Sequence, residues 1–191
     1  MVRRVRAFVL VEVYETPVGF KHFVAGLLEG WLGFAGEESA GASFLRFDGR
    51  PFSTDKDGIL MGLLAAELMA KRGQAPDALY EALAEKLGRP YYARKDLPVS
   101  PEAKARLARL SAKEVHPSTL AGEPVLQVLD RATGNGEPLG GIKVVAANAW
   151  FAVRPSGTED VAKVYAESFL GEAHLERVLE EATALLHKAL A

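Results

Sequence analysis

Late in the chain stands Arg154-Pro-Ser-Gly-Thr-Glu159. The hydroxyls of Ser156 and Thr158 flank Gly157, backbone N–H groups are exposed around that glycine, and an arginine sits at the rim. Such a set forms the kind of concavity that holds a phosphate. Lys163 can reach the same point. Ser156-x-x-Glu159 also fits a helix-capping box, so both structures remain open, although the β-preferring run VAKVYAES that follows suits a strand better. An earlier stretch, Gly36-Glu37-Glu38-Ser39, puts acceptors on a glycine-flanked turn, where carboxylate lone pairs can take hydrogen bonds from vicinal sugar hydroxyls. A solvated acidic turn would carry the same residues. Further on, Lys56 stands between Asp55 and Asp57. Its amine can carry a proton or pair with a phosphate, or it is a charge at the start of a helix whose flanking Asp residues act as caps.

Composition narrows what these groups can serve. The chain has 191 residues, 49% apolar and 25% charged, enough for one sizeable core or two small ones. Lys and Arg number 23 against 25 Asp and Glu, a formal charge of −2. That balance does not steer the whole molecule to nucleic acid or an anionic bilayer, so any anion site must be local. No cysteine is present, which removes disulfides, thiol catalysis and thiolate metal sites and suits a reducing cytoplasm. Arg3, Arg4 and Arg6 before AFVLV faintly echo a secretory signal, but Glu12 breaks the apolar run, and no stretch approaches the ~18 apolar residues of a membrane span.

These groups need elements to hold them. Residues 5–15, rich in β-branched and aromatic types and ended by Pro17, predict a strand. A helical pattern follows in GFKHFVAGLLEG. The stretch from Thr54 to Gly73 predicts a helix, with Asp candidates for its cap and Leu60, Leu63, Leu64 and Leu68 at helical spacing. Further helices are predicted from Pro76 to Gly88 and after Ser100-Pro101, with a linker region across 88–117. Beyond His116 the texture turns to short strands separated by GNGEPLGG and SGTED, and a terminal amphipathic helix carries Leu175, Val178, Leu179, Leu185, Leu186 and Leu190 on one face. Three or four antiparallel strands and that helix make a small α+β domain.

Taken together, the words YETPVGFKHF, GEESAGASFLRFDG, STDKDGI, STLAGEP, GNG, GGIKV and RPSGTEDVAKVYAESFLGEAH resemble, in this order, the carboxy-terminal part of bacterial phosphoglucomutases of the α-D-phosphohexomutase superfamily. The resemblance covers nearly the whole chain from about Val13. It implies an α/β partial sugar-binding domain over 1–75, a helical linker region over 76–117, and a small α+β phosphate-binding domain with an antiparallel sheet and a C-terminal helix over 118–191. Enzymes of this family interconvert glucose 1-phosphate and glucose 6-phosphate through glucose 1,6-bisphosphate and use magnesium. The resemblance implies that Glu37 and Ser39 grip sugar hydroxyls, that Lys56 lies near the reacting hydroxyl for acid/base work, and that Lys21 lies near the same cleft. It implies that Arg154, Ser156, Gly157 and Thr158 hold the phosphate that is not transferred, with Lys163 as a basic position beside them.

The chain also departs from the family. The Ser-His-Asn-Pro word of the phosphorylated serine and the Asp-x-Asp-x-Asp magnesium loop are absent, so no metal ligand is assigned. Met1–Val13 does not resemble the usual opening of domain three. The resemblance therefore implies sugar and phosphate binding without turnover by this chain alone, with glucose phosphates as ligands and an amino-terminal half as a partner. A non-catalytic sugar-phosphate-binding module and one chain of a split mutase are the alternatives. An exposed apolar face is expected on the first 75 residues, for want of the elements that would cover them.

Overall fold

The computed structural model describes residues 11–39 and 41–190. The chain gathers into two compact units, one of Val18–Lys86 and one of Leu87–Ala191 with the amino-terminal residues through Pro17. No helix among the described residues is long and apolar enough to cross a membrane.

In the first unit a 3₁₀ turn over Phe20–Phe23 runs into helix α1 (Val24–Leu28). Strands β1 (Phe34–Glu37) and β2 (Gly41–Phe44) form an antiparallel hairpin that pairs Phe34 with Phe44 and Glu37 with Gly41. Phe20, Leu27 and Ala35 make a small core, with Phe23, Leu32 and Leu45 against it. Helix α2 (Gly58–Arg72) starts at the expected cap, since the Asp57 carboxylate accepts from the Leu60 N–H at 2.9 Å, and it ends at Gly73 in the left-handed conformation. Helix α3 (Pro76–Leu87) opens on its proline. Helix α2 lies against β2 yet buries none of its residues completely. Ile59 is 80% and Leu63 65% exposed, and Leu68, Met69, Tyr80 and Leu83 are exposed with them. Of these, Ile59, Leu63 and Met69 lie on one side of α2, within the first 75 residues where an exposed apolar face was expected.

The second unit is a five-stranded antiparallel sheet with two helices on one face. In chain order it comprises β3 (Tyr91–Pro98), α4 (Pro101–Ala108), the short ribbon β4 (Thr119–Leu120) and β5 (Glu123–Pro124), then β6 (Gln127–Arg131), β7 (Pro138–Val145), β8 (Ala149–Pro155), β9 (Val161–Ser168) and α5 (Glu172–Leu190). The strand order is β3-β9-β8-β7-β6. Along β8 and β9 every second residue is buried, as a half-covered sheet requires. Ile142, Val144, Phe151, Val153, Ala162, Val164 and Ala166 pack with Leu107 of α4 and with Leu175, Val178, Ala182 and Leu186 of α5. The alternation and register put Arg94, Arg154, Lys163 and Tyr165 on the other face.

Two expectations from the sequence are corrected. Of the strand predicted over 5–15, residues 5–10 lie outside the described residues and residues 11–15 are not in a strand. Glu15 is engaged elsewhere: its carboxylate pairs with the Lys143 ammonium at 2.7 Å and its carbonyl accepts from the Gly134 N–H at 2.8 Å. The linker predicted across 88–117 contains β3, paired residue by residue with β9 from Tyr91 opposite Ser168 to Pro98 opposite Val161. As an edge strand it carries charges on its open side and tolerates a terminal proline. It brings the sheet to five strands where three or four were expected.

Gly41 controls how the hairpin meets α2. Its φ is +124°, and a Cβ there would stand 2.9 Å from the Asp57 carbonyl group. The close approach lets the Asp57 N–H donate to the Ala42 carbonyl at 3.1 Å. Gly41→Ala is expected to cost about 1–3 kcal/mol, read as a lower urea midpoint, and an unchanged midpoint would contradict the close approach.

Candidate functional site

The acidic hairpin and the Lys56 loop come together in the first unit. Glu37 ends β1, and its side chain is mostly buried. One carboxylate oxygen accepts from the Gly19 N–H at 2.8 Å, and the other accepts from the Lys56 ammonium at 2.6 Å. Lys56 reaches that position because its loop is tied to β2. The buried Ser43 hydroxyl donates to the Ser53 carbonyl at 2.6 Å and accepts from the Ser53 N–H at 3.2 Å, and Asp57 bridges to Ala42. The hydrogen bond to Glu37 is the main influence holding the Lys56 amine above its ordinary pKa of 10.5, against a smaller opposing effect of burial. The amine is therefore charged at neutral pH, a proton donor or anion partner and not a free base. Each Glu37 oxygen carries two lone pairs, so one on each stays available for a hydroxyl.

The phosphate-type sequence lies in the second unit, at the β8–β9 turn. Arg154 and Lys163 are directly opposed in the ladder, and the Ser156 N–H closes the hairpin on the Val161 carbonyl at 2.9 Å. A strand begins at Val161, so Ser156 and Glu159 do not form a capping box. The turn is fixed through its carbonyl side. The Lys104 ammonium of α4 donates to the Glu159 carbonyl at 2.8 Å, and the Val99 N–H donates to the Asp160 carbonyl at 3.0 Å. Among the described residues no acceptor takes the Gly157 or Thr158 N–H. Ser156 is 2% exposed, whereas Gly157 and Thr158 are open to solvent. Arg154 donates from Nη2 to the Tyr165 hydroxyl at 2.8 Å, while its Nε is buried with no acceptor among the described residues. Lys163 makes a loose 3.8 Å contact with the exposed Glu159, and its charge also acts on the Asp96 carboxylate opposite it on β3. The turn thus offers amides with no acceptor among the described residues, and the strand pair leading into it carries a guanidinium and an ammonium, groups that can hold a dianion by charge-assisted hydrogen bonds.

The structure joins Glu37 to Lys56, and Arg154 to Lys163 and the turn holding Ser156, Gly157 and Thr158. Ser39 is exposed on the hairpin tip and Lys21 is exposed on the 3₁₀ turn, and no hydrogen bond ties either to Glu37 or Lys56. Three supporting groups were not singled out from the sequence. The Gly19 N–H had a faint signal, lying in the same word as Lys21. Lys104 and Tyr165 had none, because their roles depend on pairing across 55 and 11 residues. Among the described residues no three His, Cys, Asp or Glu side chains could hold a metal ion, so these residues do not fit a magnesium site.

Residues 1–87 match the phosphoglucomutase/phosphomannomutase alpha/beta/alpha domain III, and residues 101–185 match the C-terminal domain of the same family. A phosphoglucomutase from Komagataeibacter xylinus is 55% identical over 182 residues, covering 95% of this chain and 33% of that protein. The human phosphoglucomutase-like protein 5 is 25% identical, covering 87% of this chain and 32% of that protein. The crystal structure of a phosphoglucomutase/phosphomannomutase family protein from Burkholderia thailandensis superposes with a TM-score of 0.58 at 21% identity, over 91% of this chain and 32% of that one. The chain thus spans about a third of the length of the relatives it matches. With the two domain matches in succession and 55% identity to a bacterial member, the chain belongs to the phosphoglucomutase/phosphomannomutase family, matching its domain III and its C-terminal domain.

Proposed function

We propose that this chain supplies the sugar grip and the distal-phosphate clamp of a cytoplasmic phosphoglucomutase that interconverts glucose 1-phosphate and glucose 6-phosphate through glucose 1,6-bisphosphate. The observation that carries this reading is the β8–β9 turn, whose carbonyls are tied by Lys104 and Val99 while its Gly157 and Thr158 amides have no acceptor among the described residues, on a hairpin whose strands carry Arg154 opposite Lys163. In this role Arg154, Ser156, Gly157, Thr158 and Lys163 hold the phosphate that does not react. Glu37, Ser39 and Lys21 serve the sugar, the first with its remaining lone pairs. Lys56 hands a proton to the sugar oxygen or takes it back. We assign the sugar part to residues 1–75 and the phosphate part to 118–191; the paired strand Tyr91–Pro98 supports extending the latter to begin near Leu87.

Such a division suits phosphoryl transfer, which needs position and charge neutralisation more than covalent steps. A clamp on the distant phosphate fixes the sugar against a nucleophile elsewhere. The bisphosphate must turn over to present its other phosphate, so a grip made of a few hydroxyl acceptors serves both orientations. The serine that carries the phosphoryl group, and the magnesium that neutralises charge when bound, belong in this reading to a part of the enzyme outside this chain. The exposed face of Ile59, Leu63 and Met69 favours work with further protein over a self-sufficient binding module.

Three outcomes follow from this reading. Arg154→Ala is expected to weaken binding of glucose 6-phosphate about 10- to 100-fold by calorimetric titration, and an unchanged Kd would remove the clamp. In a coupled assay with glucose 1-phosphate, magnesium and the bisphosphate, this chain by itself is expected to show no turnover. Adding the amino-terminal portion of the Komagataeibacter xylinus phosphoglucomutase is expected to restore it; turnover without that addition would contradict the reading. For Lys56, a raised folded-state pKa means that its contribution to stability is fully present below 10.5 and is lost only as pH rises through the higher folded value. The NMR titration midpoint of its side chain is therefore expected above 10.5, and a midpoint at or below that value would contradict the Glu37 contact.

A further inference from the structure

A row of side chains crosses three strands on the open face of the sheet. Strand β9 lies between β3 and β8, and Tyr165 at its centre is opposite Arg94 on β3 and Ala152 on β8, with Arg154 two residues further along β8 on the same face. The Tyr165 hydroxyl accepts from Arg154 Nη2 at 2.8 Å, and the Arg154 guanidinium carbon lies 5.3 Å from the centre of the tyrosine ring. From the other side, the Arg94 guanidinium carbon lies 5.8 Å from the same centre. Arg94 is held in a two-point fork by Asp96, Nε to one oxygen at 2.9 Å and Nη2 to the other at 2.7 Å. Asp96 itself pairs in register with Lys163.

An arginine that must recognise a phosphate loses affinity when its planar head swings among rotamers, because the ordering is then charged against binding. In this row the head is ordered beforehand. The tyrosine oxygen occupies Nη2, the ring faces the guanidinium, and the second cation limits where the ring can go. Among the described residues no acceptor takes Nη1 or the buried Nε. Without an acceptor, a buried charged donor is costly, so the orientation fits an anion better than an empty site.

We propose that Tyr165 is a positioning residue for the phosphate clamp, a brace that fixes the Arg154 guanidinium in its anion-accepting orientation, with Arg94 and Asp96 supporting it from the neighbouring strand. The proposal rests on the reading of Arg154 as a phosphate ligand and adds to it a residue that need not touch the phosphate.

The test uses the whole chain with inorganic phosphate and glucose 6-phosphate as probes. Tyr165→Phe keeps the ring and removes only the hydroxyl. It is expected to melt like the parent, to bind both probes about 3- to 10-fold more weakly, and to broaden or shift the Arg154 Nε–H resonance in the free protein. That resonance reports the brace without any ligand, which a merely structural role for Tyr165 would not move. Asp96→Asn, on the edge strand, repeats the test from the far end of the row and is expected to disturb the same resonance. Unchanged affinity and an unchanged resonance in both variants, with Arg154→Ala still losing phosphate, would overturn the brace and leave the clamp standing. If Arg154→Ala binds phosphate like the parent, the clamp falls, and the resonance in Tyr165→Phe still decides whether the brace exists.

Discussion

The tie between α4 and the β8–β9 turn is the constraint on which the proposed phosphate clamp depends. A peptide plane whose carbonyl is held cannot turn its N–H at will, so fixing the Glu159 and Asp160 carbonyls from the Lys104 and Val99 side constrains the rest of the turn. The tight closure from Ser156 to Val161 removes the remaining slack. What is left is a short run of amides with no acceptor among the described residues, following two cationic residues that the ladder places directly opposite each other. Preorganisation of this kind removes ordering entropy from the binding step, which is how a few hydrogen bonds can hold a strongly hydrated dianion.

The sheet supplies the stiffness. Under Arg154 and Lys163 the inner face is filled by Phe151, Val153, Ala162 and Val164, all nearly or fully buried against α4 and α5. The same two strands are thus apolar on one side and cationic on the other, and the period of two that builds the core also sets the spacing of the charges. A slip of one residue in the β8–β9 register would bury Arg154 and expose Val153. The first unit is built differently: its core is small, and its chemistry depends on the Glu37–Lys56 contact and on the bare Gly41 backbone that lets the hairpin approach α2.

Local signals in the sequence were legible where the structure is local. Asp57 and Gly73 bracket α2 as expected, Ser100 and Pro101 open α4, and the apolar stripe from Leu175 to Leu190 lies on the sheet. Strand β3 was not legible. Arg94, Lys95 and Asp96 read as a solvated linker because the strand is an edge with an open polar face, and its partner β9 is distant in sequence. The end of the run before Pro17 misled in the opposite sense, since residues 11–15 are not in a strand where Glu15 is drawn to Lys143. In each unit's candidate site, the residue types of Arg154 to Thr158 and of Gly36 to Ser39 carried chemistry visible in one dimension. The contacts that aim them, from Lys104, Tyr165 and Gly19, needed the register and the loop path.

The most direct measurement is an amide NMR titration of the isotope-labelled chain with inorganic phosphate. The account predicts saturable shifts largest at Gly157 and Thr158, accompanied by the Arg154 side chain, with little change at the amides of β6. Shifts spread evenly over surface lysines, or none at Gly157 and Thr158 at saturating phosphate, would contradict it.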